Sequence, residues 1–343
     1  MKIFYAVQAT GNRHISRAME LLPYLKQYGK VDIFLSGDNS HLELDAPVKY
    51  RSKGISLFYN CKGGLDYWQT MKQLRPFALW EEIRDLPVEK YDLVLNDFDF
   101  ITSTACLRKK VPSVHFGHQA SFQSAHTPRP SKKSLHGEWL LKNYVKATHH
   151  VGLHFQSYDD SIFPAIVKKD ILAAEPVDLG HVTVYLSSYC EDQLIRIFSA
   201  FSDVSFHIFS RQTKTMRREK NIIFFPVSKS LFNRSFITCS GIITGGGFET
   251  PAEALQMGKR LMVIPIKGQY EQQCNAAALR QLGIRTLKVI DEQFPVQFAN
   301  WMSTKPIEGM DFSQSISQSL AHIFSLERKT AMDLPLPKMQ LNY

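Results

Sequence analysis

Apolar positions in this chain fall into short continuous runs separated by amphipathic stretches. Residues 2–9 (KIFYAVQA) are an apolar run ending at a Thr-Gly turn, and Ile15, Ala18, Met19, Leu22 and Leu25 then recur at helical spacing. Residues 31–36 and 48–51 read as strands, 65–86 as a helix interrupted at Pro76, 91–98 (YDLVLNDF) as a strand with acids at its end. A helix from Thr102, a strand at 111–115, a polar Pro-containing loop at 119–133, a helix at 134–147 and a strand at 151–156 complete this half. Residues 164–180 read as a connection, after which the alternation restarts. Strands are expected at 181–186, 205–209, 221–225, 241–244, 260–266 and 284–290, with helices at 192–200, 228–237 and 316–324. Strands alternating with helices predict an α/β protein with parallel sheets covered on both faces. The restart predicts two Rossmann-like halves, 1–163 and 164–315, followed by a helix and tail over 316–343.

The most informative stretch is 241–276, GIITGGGFETPAEALQMGKRLMVIPIKGQYEQQCNA. A β-rich run meets three glycines, Gly245, Gly246 and Gly247. Thr250, Pro251 and Glu253 then read as N-cap, first helical position and capping-box partner. Glycines before a helix N-terminus let the backbone approach an anion, which the free N–H groups and the helix dipole favour. The spacing is neither G-x-G-x-x-G nor G-x-x-x-x-G-K-[ST], so a plain tight turn stands beside the phosphate reading. Glu271, Gln272 and Asn275 follow the next strand, where α/β sheets bind ligands, and a carboxylate with amides suits hydroxyl groups.

This segment resembles the donor signature of the two-domain, Rossmann-type glycosyltransferases of the GT-B fold. That group includes the UDP-glycosyltransferases and the lipid-linked N-acetylglucosaminyltransferase of peptidoglycan synthesis. The resemblance implies that Gly245, Gly246, Gly247 and Thr250, with Phe248 and Glu249 beside them, hold a diphosphate. It assigns Glu253 to the ribose hydroxyls and Glu271, Gln272 and Asn275 to the sugar. It also places Phe225 and Val227 against the nucleotide base; Arg211, by its position after a strand of the same half, is in reach of a phosphate. Many relatives carry a histidine where this chain has Gly245. The resemblance further implies an inverting, metal-independent transferase with no cofactor. Its nucleotide-diphosphate sugar, UDP-linked in the relatives, is a substrate of the hexosyl or N-acetylhexosaminyl type, and the last helix crosses back to the first half.

In the first half, the turn 10–17 (TGNRHISR) puts His14 at a helix start beyond the first strand, where an imidazole can act as general base. Read from residues alone, a structural histidine is the commoner outcome. Relatives carry a Gly-His pair here, so the resemblance implies that His14 is the base. It also implies that Gly11 lies at the donor; Asn12 and Arg13 depart from the usual glycines and are expected on the acceptor side, with Arg13 able to reach a phosphate or an acidic acceptor. Asp97, at the end of the fourth strand, is the expected partner of His14. Asp99 is the neighbouring candidate, with helix capping as its other reading. His118 and Gln119 open the long polar loop and are expected to line the acceptor pocket. No metal site is expected, because His115 with His118, and His149, His150 with His154, lack a further ligand.

Composition narrows the setting. The chain has 343 residues, 44% hydrophobic and 12% aromatic, with a net charge of +9 and pI near 9.2, which fits a globular two-domain protein. It has no apolar run of membrane-spanning length and no signal-peptide pattern. Its five scattered cysteines (Cys61, Cys106, Cys190, Cys239, Cys274) fit reduced thiols in the cytoplasm. The basic balance comes without a nucleic-acid motif; each cluster fits solvated surface charge, with weak attraction to an anionic membrane surface as the second reading. A glycan or lipid-linked acceptor at the inner face of a membrane is the corresponding expectation. Three alternatives stay open: a nucleotide-sugar hydrolase, whose turn-His-x-x-Arg pattern His14 and Arg17 echo, an epimerase of the related fold, and a non-catalytic sugar-nucleotide binder.

Overall fold

The fold, taken from a computed structural model, is described for residues 1–9, 12–37, 44–54 and 76–332. Two seven-stranded sheets organise it. The first holds β1 (Lys2–Gln8), β2 (Lys30–Ser36), β3 (Val48–Ser52), β4 (Leu93–Asp97), β5 (Val114–Gly117), β6 (His149–His154) and β7 (Ile162–Pro164). Their order is β3-β2-β1-β4-β5-β6-β7, and every pairing is parallel. Ile3, Phe4, Tyr5, Ala6 and Val7 are all fully buried, as expected for a central strand covered on both faces. The strand order reverses beside β1, so the carboxyl ends of β1 and β4 flank a crevice suited to a ligand.

The second sheet holds β8 (His181–Tyr185), β9 (Ser205–Ser210), β10 (Arg217–Glu219), β11 (Ile222–Pro226), β12 (Gly241–Thr244), β13 (Arg260–Val263) and β14 (Arg285–Thr286). Its order is β10-β11-β9-β8-β12-β13-β14. Only β10, hairpinned on β11, runs antiparallel. The reversal here lies between β8 and β12, so the glycine turn after β12 opens at the matching crevice. The α/β fold class of two Rossmann-like units is therefore met.

The halves share apolar packing. Phe248 of the second half is 1% exposed and lies 5.2 Å, ring to ring, from Phe155. The helix Ser315–Met332 returns to the first sheet and packs on β6, β7 and the helix Asn12–Tyr28. Tyr28 stacks on Phe324 at 3.8 Å, and Phe163 meets His322 at 5.3 Å.

Several element bounds differ from the sequence reading. The strand expected at 151–156 is His149–His154, and a further strand, Ile162–Pro164, occupies the sheet edge before the connection. Its three residues are too short for a periodic signal, and its proline sits where no further strand requires a donor. The helix read at 134–147 is Leu135–Asn143. The strand read at 284–290 shrinks to Arg285–Thr286. The Leu287 amide still bonds Val263 O, but β13 ends there and offers no further partner. The edge strand Arg217–Glu219 and the helix Phe294–Ser303 were not read at all. Of the helix read at 65–86, Pro76–Asp85 is described, and residues 65–75 and Cys61 lie outside the described residues.

Candidate active site

The first constellation forms where β1 and β4 end. Thr10 and Gly11 lie outside the described residues, and Asn12 is placed only as the first residue of the helix Asn12–Tyr28. That helix carries His14 and Arg17 on one face, three residues apart, and both are buried. His14 Nδ1 lies 2.9 Å from Asp97 Oδ1. Arg17 donates from Nη2 to the same oxygen at 2.7 Å and from Nε to Oδ2 at 3.0 Å. Burial would raise the Asp97 carboxyl, but the Arg17 and His14 charges and hydrogen bonds hold it well below the usual range. Asp99 instead caps the next helix, accepting from Thr102 N at 2.6 Å.

Two backbone features hold this arrangement. Phe98 adopts a left-handed φ of 61° directly after Asp97, and its ring lies parallel to His14 at 6.5 Å. A non-glycine residue in that region carries strain of the kind concentrated at functional sites. Gly117 has φ 148°, and a Cβ there would stand 2.9 Å from Asp97 Oδ1 and 3.3 Å from Arg17 Nη2. The carboxylate therefore fits only because the facing strand ends in glycine.

The second constellation surrounds the glycine turn. The helix expected to start at Thr250 is Glu249–Gln256, with Phe248 at its N-cap and no side-chain cap. The capping-box reading of Thr250 and Glu253 is thus corrected. His118 stacks on the Phe248 ring at 3.9 Å and 8°, so tertiary packing sets the helix start. Glu253 turns to Lys168, whose Nζ lies 2.8 Å from Oε1. Burial raises the Glu253 carboxyl, and the Lys168 charge opposes this. Oε2 has no partner among the described residues.

Gln272 ties the two donor-side loops together. Its Oε1 accepts from Gly246 N at 3.1 Å and Ile266 N at 2.9 Å. A Cβ on Gly246 would meet Gln272 O at 2.7 Å, whereas one on Gly247 meets nothing within 4 Å. Asn275 donates to Gly246 O at 3.0 Å, and its Oδ1 lies 2.8 Å from His118 Nε2. Gly245 stands at the end of β12 on the same side of the turn, 3.6 Å (by its Cβ position) from Gln272 Oε1.

Contacts between the halves close the site. Glu271 receives Arg13 Nη1 at 2.8 Å and Gln119 Nε2 at 3.3 Å. Burial raises this carboxyl, but the Arg13 charge, with His118 and Gln119, brings it to about 2. Arg17 Nη1 lies 3.5 Å from Glu249 Oε1. The structure therefore brings His14, Asp97, Arg13, His118 and Gln119 together with Glu249, Gln272, Asn275 and Glu271. Arg211, the half-buried Phe225 and the exposed Val227 stand apart, at the carboxyl ends of β9 and β11, with Phe225 stacked on Phe209 at 5.2 Å.

Two participants went unassigned in the sequence. Arg17 was visible as a residue one turn after His14, but its fork onto Asp97 bridges 80 positions. Lys168 had no local signal, since its partner is on another unit. Among the described residues no group of three His, Cys, Asp or Glu side chains has metal-holding geometry, and no helix is long and apolar enough to cross a membrane.

The sequence profile of glycosyl transferase family 1 matches residues 1–298. The chain belongs to that family. No curated protein matches this glycosyltransferase. Among solved structures it is similar to MurG of Acinetobacter baumannii, with TM-score 0.57 and 13% identity over 96% of this chain and 99% of that one. It is also similar to the glycosyltransferase SnogD from Streptomyces nogalater, with TM-score 0.54 and 17% identity over 95% and 99% of the two chains. The glycotransferase of kitacinnamycin gives TM-score 0.54 and 15% identity over 96% and 95%. The family match and these folds make it a glycosyltransferase of the GT-B architecture.

Proposed function

We propose that this glycosyltransferase moves a sugar, with inversion, from a UDP-activated donor to an acceptor hydroxyl. Residues 1–163 hold the acceptor and residues 164–315 the donor, and the helix within 316–343 returns to the first half ahead of a tail. The observation that carries the reading is the buried His14–Asp97 contact of 2.9 Å, joined to the donor-side helix by Arg17, which lies 3.5 Å from Glu249. With Nδ1–H donated to Asp97, the His14 Nε2 lone pair takes the acceptor proton. The acceptor oxygen bonds the anomeric carbon, and the C–O bond to the diphosphate breaks with its electrons leaving on phosphate. A single displacement inverts the carbon. The first-turn N–H groups at Glu249 and Thr250 and the helix dipole take the charge of the leaving group, so the proposal assigns no metal ion and no cofactor to the step. The unpartnered Oε2 of Glu253 fits a ribose hydroxyl, and Glu271 with Asn275 fits the sugar. Arg211, Phe225 and Val227 are assigned to the nucleotide, and Gly11, Gly245, Gly246 and Gly247 to the turns around the diphosphate. Asn12, Arg13, His118 and Gln119 are assigned to the acceptor side.

A lipid-linked or glycan acceptor at the inner face of an anionic membrane fits the net charge of +9. Exposed Phe77 and Trp80, the latter under the Arg108 guanidinium at 3.8 Å, support the same peripheral placement. The test is thermal stabilisation by UDP, dTDP, GDP, ADP and CMP. At about 100 times its dissociation constant, a nucleotide adds roughly 2.7 kcal/mol, a shift of about a few degrees. UDP is expected to give that shift and to lose it in Glu253→Gln. A folded protein that none of the five stabilises sinks the donor site.

A further inference from the structure

Glu271 stands in the first turn of the helix Tyr270–Gln281, and the first half already occupies both of its carboxylate oxygens. Arg13 donates from Nη1 to Oε1 at 2.8 Å, and Gln119 donates from Nε2 to Oε2 at 3.3 Å. The two donors differ in how firmly they are held. The Arg13 and Glu271 side chains are 36% and 15% exposed, so water reaches this pair, and an ion pair of that kind exchanges at low cost. Gln119 is 3% exposed, at the start of the turn Gln119–Gln123, and packing keeps it in place. Glu271 is ionised at neutral pH, and a carboxylate only accepts hydrogen bonds. The Gln119 amide must therefore turn its N–H to Glu271, which points its Oε1 elsewhere. That oxygen is buried and has no partner among the described residues. A buried carbonyl without a donor carries a desolvation cost that nothing in the protein recovers. The mouth between the halves thus holds an acceptor that lacks a donor, beside a carboxylate whose cation is free to leave.

We propose that this is a sugar subsite assembled from both halves: Arg13 is a place-holder that the donor's sugar displaces from Glu271, and hydroxyls of that sugar then donate to Glu271 Oε1 and Gln119 Oε1. The inference rests on the donor reading given above, and it gives two residues of the acceptor side a part in selecting the donor. The chemistry favours a sugar with free hydroxyls at this end. A sugar lacking them has to break a charge-assisted bond without replacing it and leaves the Gln119 oxygen bare, a loss against which hydrogen-bonding sites discriminate strongly.

The test is isothermal titration calorimetry of the full chain with UDP, UDP-glucose and UDP-N-acetylglucosamine, in wild type, Arg13→Met and Gln119→Met. UDP carries no sugar, so its affinity reports the rest of the donor site and is expected to match in all three proteins. Removing the place-holder is expected to tighten sugar-nucleotide binding relative to UDP by about fivefold in Arg13→Met. Removing the amide is expected to weaken it by about fivefold in Gln119→Met. A preference for sugar nucleotide over UDP that is unchanged or lower in Arg13→Met overturns the inference, as does a wild-type preference in folded Gln119→Met. Arg13 is the more exposed of the two, so its arm of the test stands even where Gln119→Met does not fold. UDP failing to bind the folded wild type sinks the donor reading, whereas UDP binding with equal preferences in all three proteins sinks this inference alone.

Discussion

Lowering the pH from 7 to 5 is expected to destabilise the first half of this glycosyltransferase through His115. The side chain is 1% exposed on β5. Its Nδ1 faces His150 Nδ1 at 3.2 Å, and its Nε2 has no partner among the described residues. Burial holds the folded ring down to about 3, against an ordinary 6.5. The unfolded chain therefore binds a proton below about pH 6.5 that the folded chain refuses. Stability from this group is complete above that pH and is lost progressively as pH falls toward about 3. At pH 5 the unfolded ring lies about 1.5 units below its midpoint, and at about 1.36 kcal/mol per unit the loss is about 2 kcal/mol. Urea unfolding of wild type and His115→Leu at pH 7 and 5 measures it. The variant starts from its own baseline, so only the change between the two pH values is compared. It is expected to lose about 2 kcal/mol less than wild type. Equal losses in both proteins would refute the assignment of a buried neutral His115.

Three further outcomes follow from the site. If His14 is the base as proposed, Asp97→Asn removes the charge that orients it, and turnover is expected to fall on the order of 100-fold or more while donor KM changes little, measured as release of the donor's nucleotide with acceptor present. Gly246→Ala drives a Cβ to 2.7 Å from Gln272 O, and is expected to cost about 1–3 kcal/mol and weaken nucleotide stabilisation in thermal melts. Lys168→Met leaves the Glu253 charge buried without its partner, at a cost of about 3–5 kcal/mol; adding Glu253→Gln is expected to recover much of that loss in the same urea titration.

The periodic core was legible because burial on both sheet faces leaves continuous apolar runs, as in residues 3–7. The glycine turn after β12 and the placement of His14 beyond β1 were legible because chain order and sheet topology fix them. What escaped the sequence depends on pairings between distant residues. Thr250 carries a good cap chemistry, yet the helix starts at Glu249 because His118 and Phe155 anchor Phe248 from the other half. The Lys168–Glu253 pair and the Arg17–Asp97 fork join residues that no local spacing connects. Strand Ile162–Pro164 is too short for alternation to show. The sequence ranks Asp97 ahead of Asp99 without excluding Asp99, since Asp97 ends β4 and Asp99 follows two residues later; the side-chain geometry divides partner from cap.

The return of helix Ser315–Met332 to β6 and β7 means that the polypeptide crosses between the halves twice, once after β7 and once before that helix. A door hung on two pins swings but does not slide. A rotation of the halves about those crossings widens the mouth at Arg13 and Glu271 and leaves the Tyr28–Phe324 stack in place. Spin labels at the mouth are expected to report a broad, nucleotide-sensitive distance distribution, and labels flanking the two crossings a narrow one that nucleotide leaves unmoved. A translation of one half past the other would widen both.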